Sequence, residues 1–158
     1  MKKTIIFCIV VICSLSPIIY KNAAFGATLH VPGGHPTIQS GIDAAENGDT
    51  VLVESGTYQE NIDFKGKGIT VTSQSGPDDT MINGRRSNSV IIFWNSENGS
   101  AILNGFTITN GIYTEAMDMI YPFGGGISIR NASPIITNCI IAGNGAKDGG
   151  GGGCSDGI

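Results

Sequence analysis

From Thr50 onward the chain alternates apolar and polar residues in short runs, and turn formers break each run before it grows long. Period-two alternation in segments rich in Ile, Val and Thr predicts half-buried strands. The runs are Thr50–Val53, Asn61–Phe64, Gly68–Ser73, Thr80–Asn83, Ser89–Asn95, Ala101–Thr109, Gly126–Arg130 and Pro134–Ala142. Gly, Asn, Asp and Ser separate them, as turns require. Upstream the period lengthens to that of a helix. Ile38, Ile42 and Ala45 share one face over Pro36–Gly48, Thr37 stands where a cap is needed, and Asn47-Gly48 marks the end.

Two of the alternating runs echo each other. NGFTITNG at 104–111 returns as NCIIAGNG at 138–145, and each precedes a glycine run. Repetition at the offset from Asn104 to Asn138 signals units that stack to bury a face none can bury alone. Short strands also suit an antiparallel sandwich, and Asn110-Gly111 and Asn144-Gly145 are hairpin dipeptides. A sandwich gives the echo no role, whereas a solenoid produces it by stacking equivalent strands about 4.8 Å apart. The expected fold is therefore all-β, a parallel solenoid with a helix over one end. Ile69, Val71, Phe106 and Ile108 should point inward and Thr70, Thr72 and Thr107 outward, with asparagines bonding from turn to turn.

Composition divides the chain. Lys2 and Lys3 precede an apolar run from Ile5 to Leu15, and Ala24-Phe25-Gly26 offers small residues for a cut before Ala27. That is the layout of a secretory leader; the run is shorter than the roughly 20 residues a membrane span needs. The organisation read here is a leader at 1–26, an N-terminal segment with the helix at 27–48, and coils at 49–158. No membrane span is expected in the mature chain. Removing Lys2, Lys3 and Lys21 leaves six basic residues against thirteen acidic ones, a formal balance of −7. Such a field repels phosphate backbones, so nucleic acid is excluded as a partner. Cys139 and Cys154 read either as a disulfide or as two small apolar residues in stacked strands, the second being preferred.

The stretch TIQSGIDAAENGDTVLVESGTYQENIDFKGKGITVTSQSGPDDTMING, Thr37 to Gly84, resembles the N-terminal part of secreted right-handed parallel β-helix proteins of the pectate-lyase-like superfamily. The later NGFTITNG…GGGI…SPIITNCIIAGNGA…GGGG portion is similar to tandem repeats of the same group. The resemblance implies a right-handed β-helix, capped at its first end by Ile38, Ile42 and Ala45. The group holds lyases, hydrolases and adhesins, so it implies no single activity. It also implies a second end that is incomplete here, as in the N-terminal portion of a longer chain; a bare end pairing with another copy is the alternative.

The chemistry on offer is thin. Arg85-Arg86 can receive a sugar carboxylate, or serve as the base that some lyases of this group draw from arginine. Trp94, Tyr113 and Tyr121 can stack on sugar rings, although Trp94 alternates with Val90 and Ile92 and an inward position competes. Calcium is the one cofactor the resemblance brings, with Asp63 and Asp156 as metal candidates; GGGCSDGI at 151–158 approaches a calcium-binding repeat but carries Cys154 where glycine belongs. Asp78-Asp79 sits in a turn signature, and His30 and His35 read as loop residues. Asn98-Gly-Ser and Asn131-Ala-Ser match glycosylation sequons, and the long insertion Ile112–Phe123 is where a binding loop is expected. These residues point to a secreted or surface-displayed module that binds a polysaccharide or cell-surface glycan. A calcium-dependent polysaccharide lyase and a non-catalytic stalk are the rivals.

Overall fold

The structure, a computed structural model, describes residues 26–113 and 124–146. The expected leader up to Phe25, the insertion beyond Tyr113 with Tyr121, and the terminal glycine-rich stretch with Cys154 and Asp156 lie outside the described residues.

The chain runs β1 (Thr28–Val31), α1 (Ile38–Ala44), β2 (Thr50–Val53), β3 (Gly56–Tyr58), β4 (Ile62–Asp63), β5 (Thr70–Ser73), β6 (Thr80–Asn83) and β7 (Ile91–Phe93). It continues with β8 (Ile102–Asn104), β9 (Thr107–Thr109), β10 (Ile112–Tyr113), β11 (Ile127–Ile129), β12 (Ile135–Thr137), β13 (Ile140–Ile141) and β14 (Gly145–Ala146). Every pairing is parallel. Sheet 1 is β1-β2-β5-β8-β12, sheet 2 is β3-β6-β9-β13, sheet 3 is β4-β7-β11, and β10 pairs with β14. The chain thus visits sheets 1, 2 and 3 in turn and then returns to sheet 1 beside its previous strand. Among the described residues the fold is predominantly β and solenoid-like, with one short helix. Parallel neighbours need long connections, and here the other two strands of each circuit supply them.

Apolar residues at matching positions form ladders. Val51, Val71 and Leu103 stack in sheet 1, Ile82 and Ile108 in sheet 2, and Ile62, Ile91 and Ile127 in sheet 3. All are buried, as are Ile69 and Phe106, so the expected inward set holds. Thr70, Thr72 and Thr107 are partly exposed on the outer side. The rings of Phe64 and Phe93 lie 4.4 Å apart, close to the spacing of neighbouring strands.

The repeat needs correcting by one position. Ile102 pairs with Ile135 and Thr107 with Ile140, an offset one shorter than the Asn104–Asn138 echo. A one-residue slip in a strand would exchange its two faces, so the difference matters. Asn138 is equivalent to Gly105, not to Asn104: both turn the chain between sheets 1 and 2, at φ 49° and 83°. These left-handed residues also break the two longest expected strands, so Ala101–Thr109 becomes β8 and β9, and Pro134–Ala142 becomes β12 and β13. Among the described residues asparagines do bond between coils, but not to one another. Asn104 Nδ2 donates to Thr72 Oγ1 (2.9 Å), and Asn144 Oδ1 accepts from Gly111 N–H (2.8 Å). Circuits differ in length: the one from Thr50 to its partner Thr70 is much shorter than the next, from Thr70 to Ile102.

Helix α1 closes the first end, burying Ile38, Ile42 and Ala45. Thr37 caps it, with Ser40 completing a reciprocal capping box. It ends at Ala44, with Ala45 as an extended cap, rather than at Gly48, and Lys67 Nζ donates to the carbonyls of Ile42, Asp43 and Ala45 at 2.6–2.8 Å. At the other terminus Glu60 accepts the N–H groups of Ile38 and Gln39, both at 2.9 Å. Two residues from the following circuit therefore satisfy groups that any helix end leaves open. Among the described residues no helix is long and apolar enough to cross a membrane.

Candidate functional site

Sheet 3 carries the aromatic residue best placed to meet a ligand. In β7, Ile91 and Phe93 are fully buried, so alternation turns Ile92 and the following Trp94 to the outer face. That settles the choice left open by the sequence: Trp94 is outward and partly buried. Its indole N–H donates to Ser128 Oγ at 3.0 Å, one coil on. Ser128 is buried and pairs with Ile92, which pairs in turn with Asp63. A row Asp63, Ile92, Ser128 thus crosses the sheet, with Trp94 beside its centre. No local pattern singles out Ser128; only the strand register links it to Trp94.

Asp63 is held from two directions. Gln39 accepts its N–H (2.8 Å) and donates to its carbonyl (3.1 Å), while its carboxylate Oδ1 accepts from Lys65 N–H (2.8 Å) and Asn95 Nδ2 (3.4 Å). The carboxylate therefore organises the turn after β4. Lys65 itself reaches Asp43 at 2.7 Å, each about half exposed, and this contact holds the Asp43 carboxyl below its ordinary range. Among the described residues no three His, Cys, Asp or Glu side chains gather as metal ligands.

Arg85 and Arg86 stand at the opposite end of the sheet 3 strands, in the turn that precedes β7. Both are exposed and left-handed, at φ 52° and 58°. Arg86 N–H donates to the Asn110 carbonyl (2.6 Å) and Gly84 N–H to that of Thr109 (2.9 Å), which ties this turn to the one leading into Tyr113. The structure thus brings Arg85 and Arg86 beside the Asn110–Tyr113 turn, with Tyr113 paired in register with Ala146. Asp63 ends β4 and Trp94 follows β7, at the far ends of those strands.

Between sheets 3 and 1 a groove of about 330 Å³ is lined by Asn47, Gly48, Gly66, Gly68, Asn98 and Ser100. Asn131 and Ser133 lie in the next corner on, but the connection from β11 to β12 is three residues shorter than that from β7 to β8. Left-handed Asn131 (φ 49°) therefore matches Ser96 (φ 63°) rather than Asn98, and the two sequons are not equivalent. Beneath them sits Glu97, a carboxylate only 2% exposed that the sequence did not single out. Its Oε1 accepts from Gly66 N–H (2.8 Å), its Oε2 from Asn95 N–H (2.9 Å), and its carbonyl from Ser133 N–H (2.7 Å). One side chain and its own backbone thereby join three successive coils.

The remaining sequence candidates are local. Asp78 and Asp79 form an exposed turn, Asp79 giving its carbonyl to Gly56 N–H. His30 ends up within strand β1 rather than a loop, and its carbonyl accepts from Gly34 and His35. Cys139 is partly buried and in no disulfide among the described residues, and burial pushes its pKa up.

The chain matches no protein-family model, no curated protein and no solved structure.

Proposed function

We propose that this chain is a secreted or surface-displayed right-handed parallel β-helix module of the pectate-lyase-like kind. On this reading it binds a polysaccharide or cell-surface glycan on the outer face of sheet 3. The observation that carries the reading is Trp94, turned outward by strand alternation and fixed through its N–H to buried Ser128. A rigid aromatic face with its polar atom already bonded provides contact area at little entropic cost. Asp63 and Asn95 beside it are hydrogen-bonding groups suited to sugar hydroxyls. The mature balance of −7 favours a neutral glycan over an anionic one.

Binding is favoured over elimination chemistry because Arg85 and Arg86 stand at the opposite strand end from Asp63. A lyase site would need base and cation ligands on one patch. A glycan array probed with the protein, and with Trp94→Ala, tests the reading. Selective glycan binding that the variant loses supports it. Unsaturated product from polygalacturonate, abolished by Arg85→Ala or Arg86→Ala, would replace it with a lyase. Neither binding nor turnover would leave a spacer.

A further inference from the structure

The first described residue tied into the stack is the residue at which the leader is expected to be cut. Ala27 N–H donates to Asp49 Oδ1 at 2.7 Å, and the Ala27 carbonyl accepts from Thr50 N–H at 2.8 Å, just ahead of the first β1–β2 pair, Thr28 with Thr50. The second oxygen of Asp49 accepts Glu46 N–H at 2.8 Å, in the turn after α1. Gly26 is tightly confined: a Cβ there would lie 1.7 Å from the Gly48 carbonyl oxygen. The small residue that suits a leader cut is thus also the one that fits against Gly48.

We propose that cleavage between Gly26 and Ala27 converts the Ala27 nitrogen into an ammonium paired with the Asp49 carboxylate, and so fastens β1 of the mature protein. The proposal rests on the secretion reading above. In the step itself, a leader peptidase adds water across the Gly26–Ala27 amide. Gly26 departs with the leader as a carboxylate, and the Ala27 amine takes up a proton. A neutral N–H donor becomes a charged one at a carboxylate already in place, so a hydrogen bond assisted by one charge becomes an ion pair. Cleavage therefore completes a contact that the uncut chain makes only in part. Asp49 serves as the receiver of the new terminus and as the link from β1 to the end of α1.

The test expresses the full chain with its leader in a secreting host and recovers the exported protein. Intact mass and N-terminal sequencing should give Ala27 as the first residue. The terminal amine should then react with an acylating reagent at neutral pH about three- to tenfold more slowly than in Asp49→Asn, because pairing favours the protonated, unreactive form. If that variant does not fold, raising salt from about 10 mM to about 1 M should speed acylation of the unaltered protein by screening the pair. Export with a first residue other than Ala27 overturns the proposal while leaving secretion intact, as do equal rates in the variant or indifference to salt. An uncut chain retained in the cell overturns the secretion reading, and the proposal with it.

Discussion

Gln39 and Asp63 exchange two hydrogen bonds in which a side-chain amide takes the place of a strand. The amide of Gln39, on α1, accepts the Asp63 N–H and donates to its carbonyl, as a backbone residue in a further coil would. Asp63 belongs to β4, the end strand of sheet 3, so this pair closes an edge that would otherwise be open. Gln39→Leu, which keeps the bulk and removes both partners, should cost about 1–3 kcal/mol. Chemical denaturation measures that loss, and amide exchange at Asp63 should accelerate in the variant ahead of exchange in β5 or β8. Unchanged exchange at Asp63 would mean that the edge is closed by something else.

Glu97 should be among the most sensitive polar positions. Glu97→Ala strands two backbone donors, of Gly66 and Asn95, in a place water barely reaches. A loss of about 3 kcal/mol is expected. Glu97→Gln keeps an acceptor for one of them and should lose less. Denaturation midpoints for the two variants, ranked Ala below Gln, check this.

The Lys65–Asp43 pair should matter far less than its short distance suggests, since both side chains are about half exposed. Its pH window follows from the two shifts. Asp43 is lowered chiefly by its hydrogen bond to Lys65, so its contribution is present above the ordinary carboxylate range and lost as pH falls through it. Lys65 is raised chiefly by its hydrogen bond to Asp43, so its contribution is lost only as pH climbs past the ordinary lysine range. Between about pH 5 and about pH 9 stability should be flat in this pair. Thermal melts of Lys65→Ala across that range should track the unaltered protein.

Trp94 is the single tryptophan of the chain, so intrinsic fluorescence reports on one place. A glycan that occupies the outer face of sheet 3 should quench or shift that emission in a saturable titration. Trp94→Phe retains a ring but loses the bond to Ser128; it should bind more weakly and not at full strength. Binding that leaves the emission untouched would move the site elsewhere.

Truncation should separate the interior of the stack from its last described coil. Ile108→Ala removes a fully buried side chain and should cost about 2–5 kcal/mol. Ile140→Ala, at 42% exposure, should cost well under half of that. Equilibrium unfolding of the two variants gives the comparison directly.

The inward residues were legible because each strand's alternation is local and survives without knowing its partner. Val71, Phe106 and Ile108 could be placed by counting along their own runs. Register was not legible to the last residue: asparagine echoes mark corners, and Gly105 does the same work as Asn138 with a different side chain. β3 escaped notice because Glu54-Ser55-Gly56 reads as a turn, and only pairing with β6 holds it extended. Trp94 was open between two faces until Phe93 was seen to take the inward place. Ser128, Glu97 and Gln39 carry no local signal, since their roles exist only between circuits.

Sheet 1 gains one strand per circuit, whether the chain travels the short way from Thr50 to Thr70 or the longer ways from Thr70 to Ile102 and from Ile102 to Ile135. Contour length and pitch are thus independent variables in this architecture. The surplus goes into outward turns, such as the one between β6 and β7 that carries Arg85 and Arg86, while the ladders advance by one step each time. Foreign peptides grafted into that turn should be displayed at a fixed height along the axis, which makes the chain a graduated ruler for presenting sequences at set spacings.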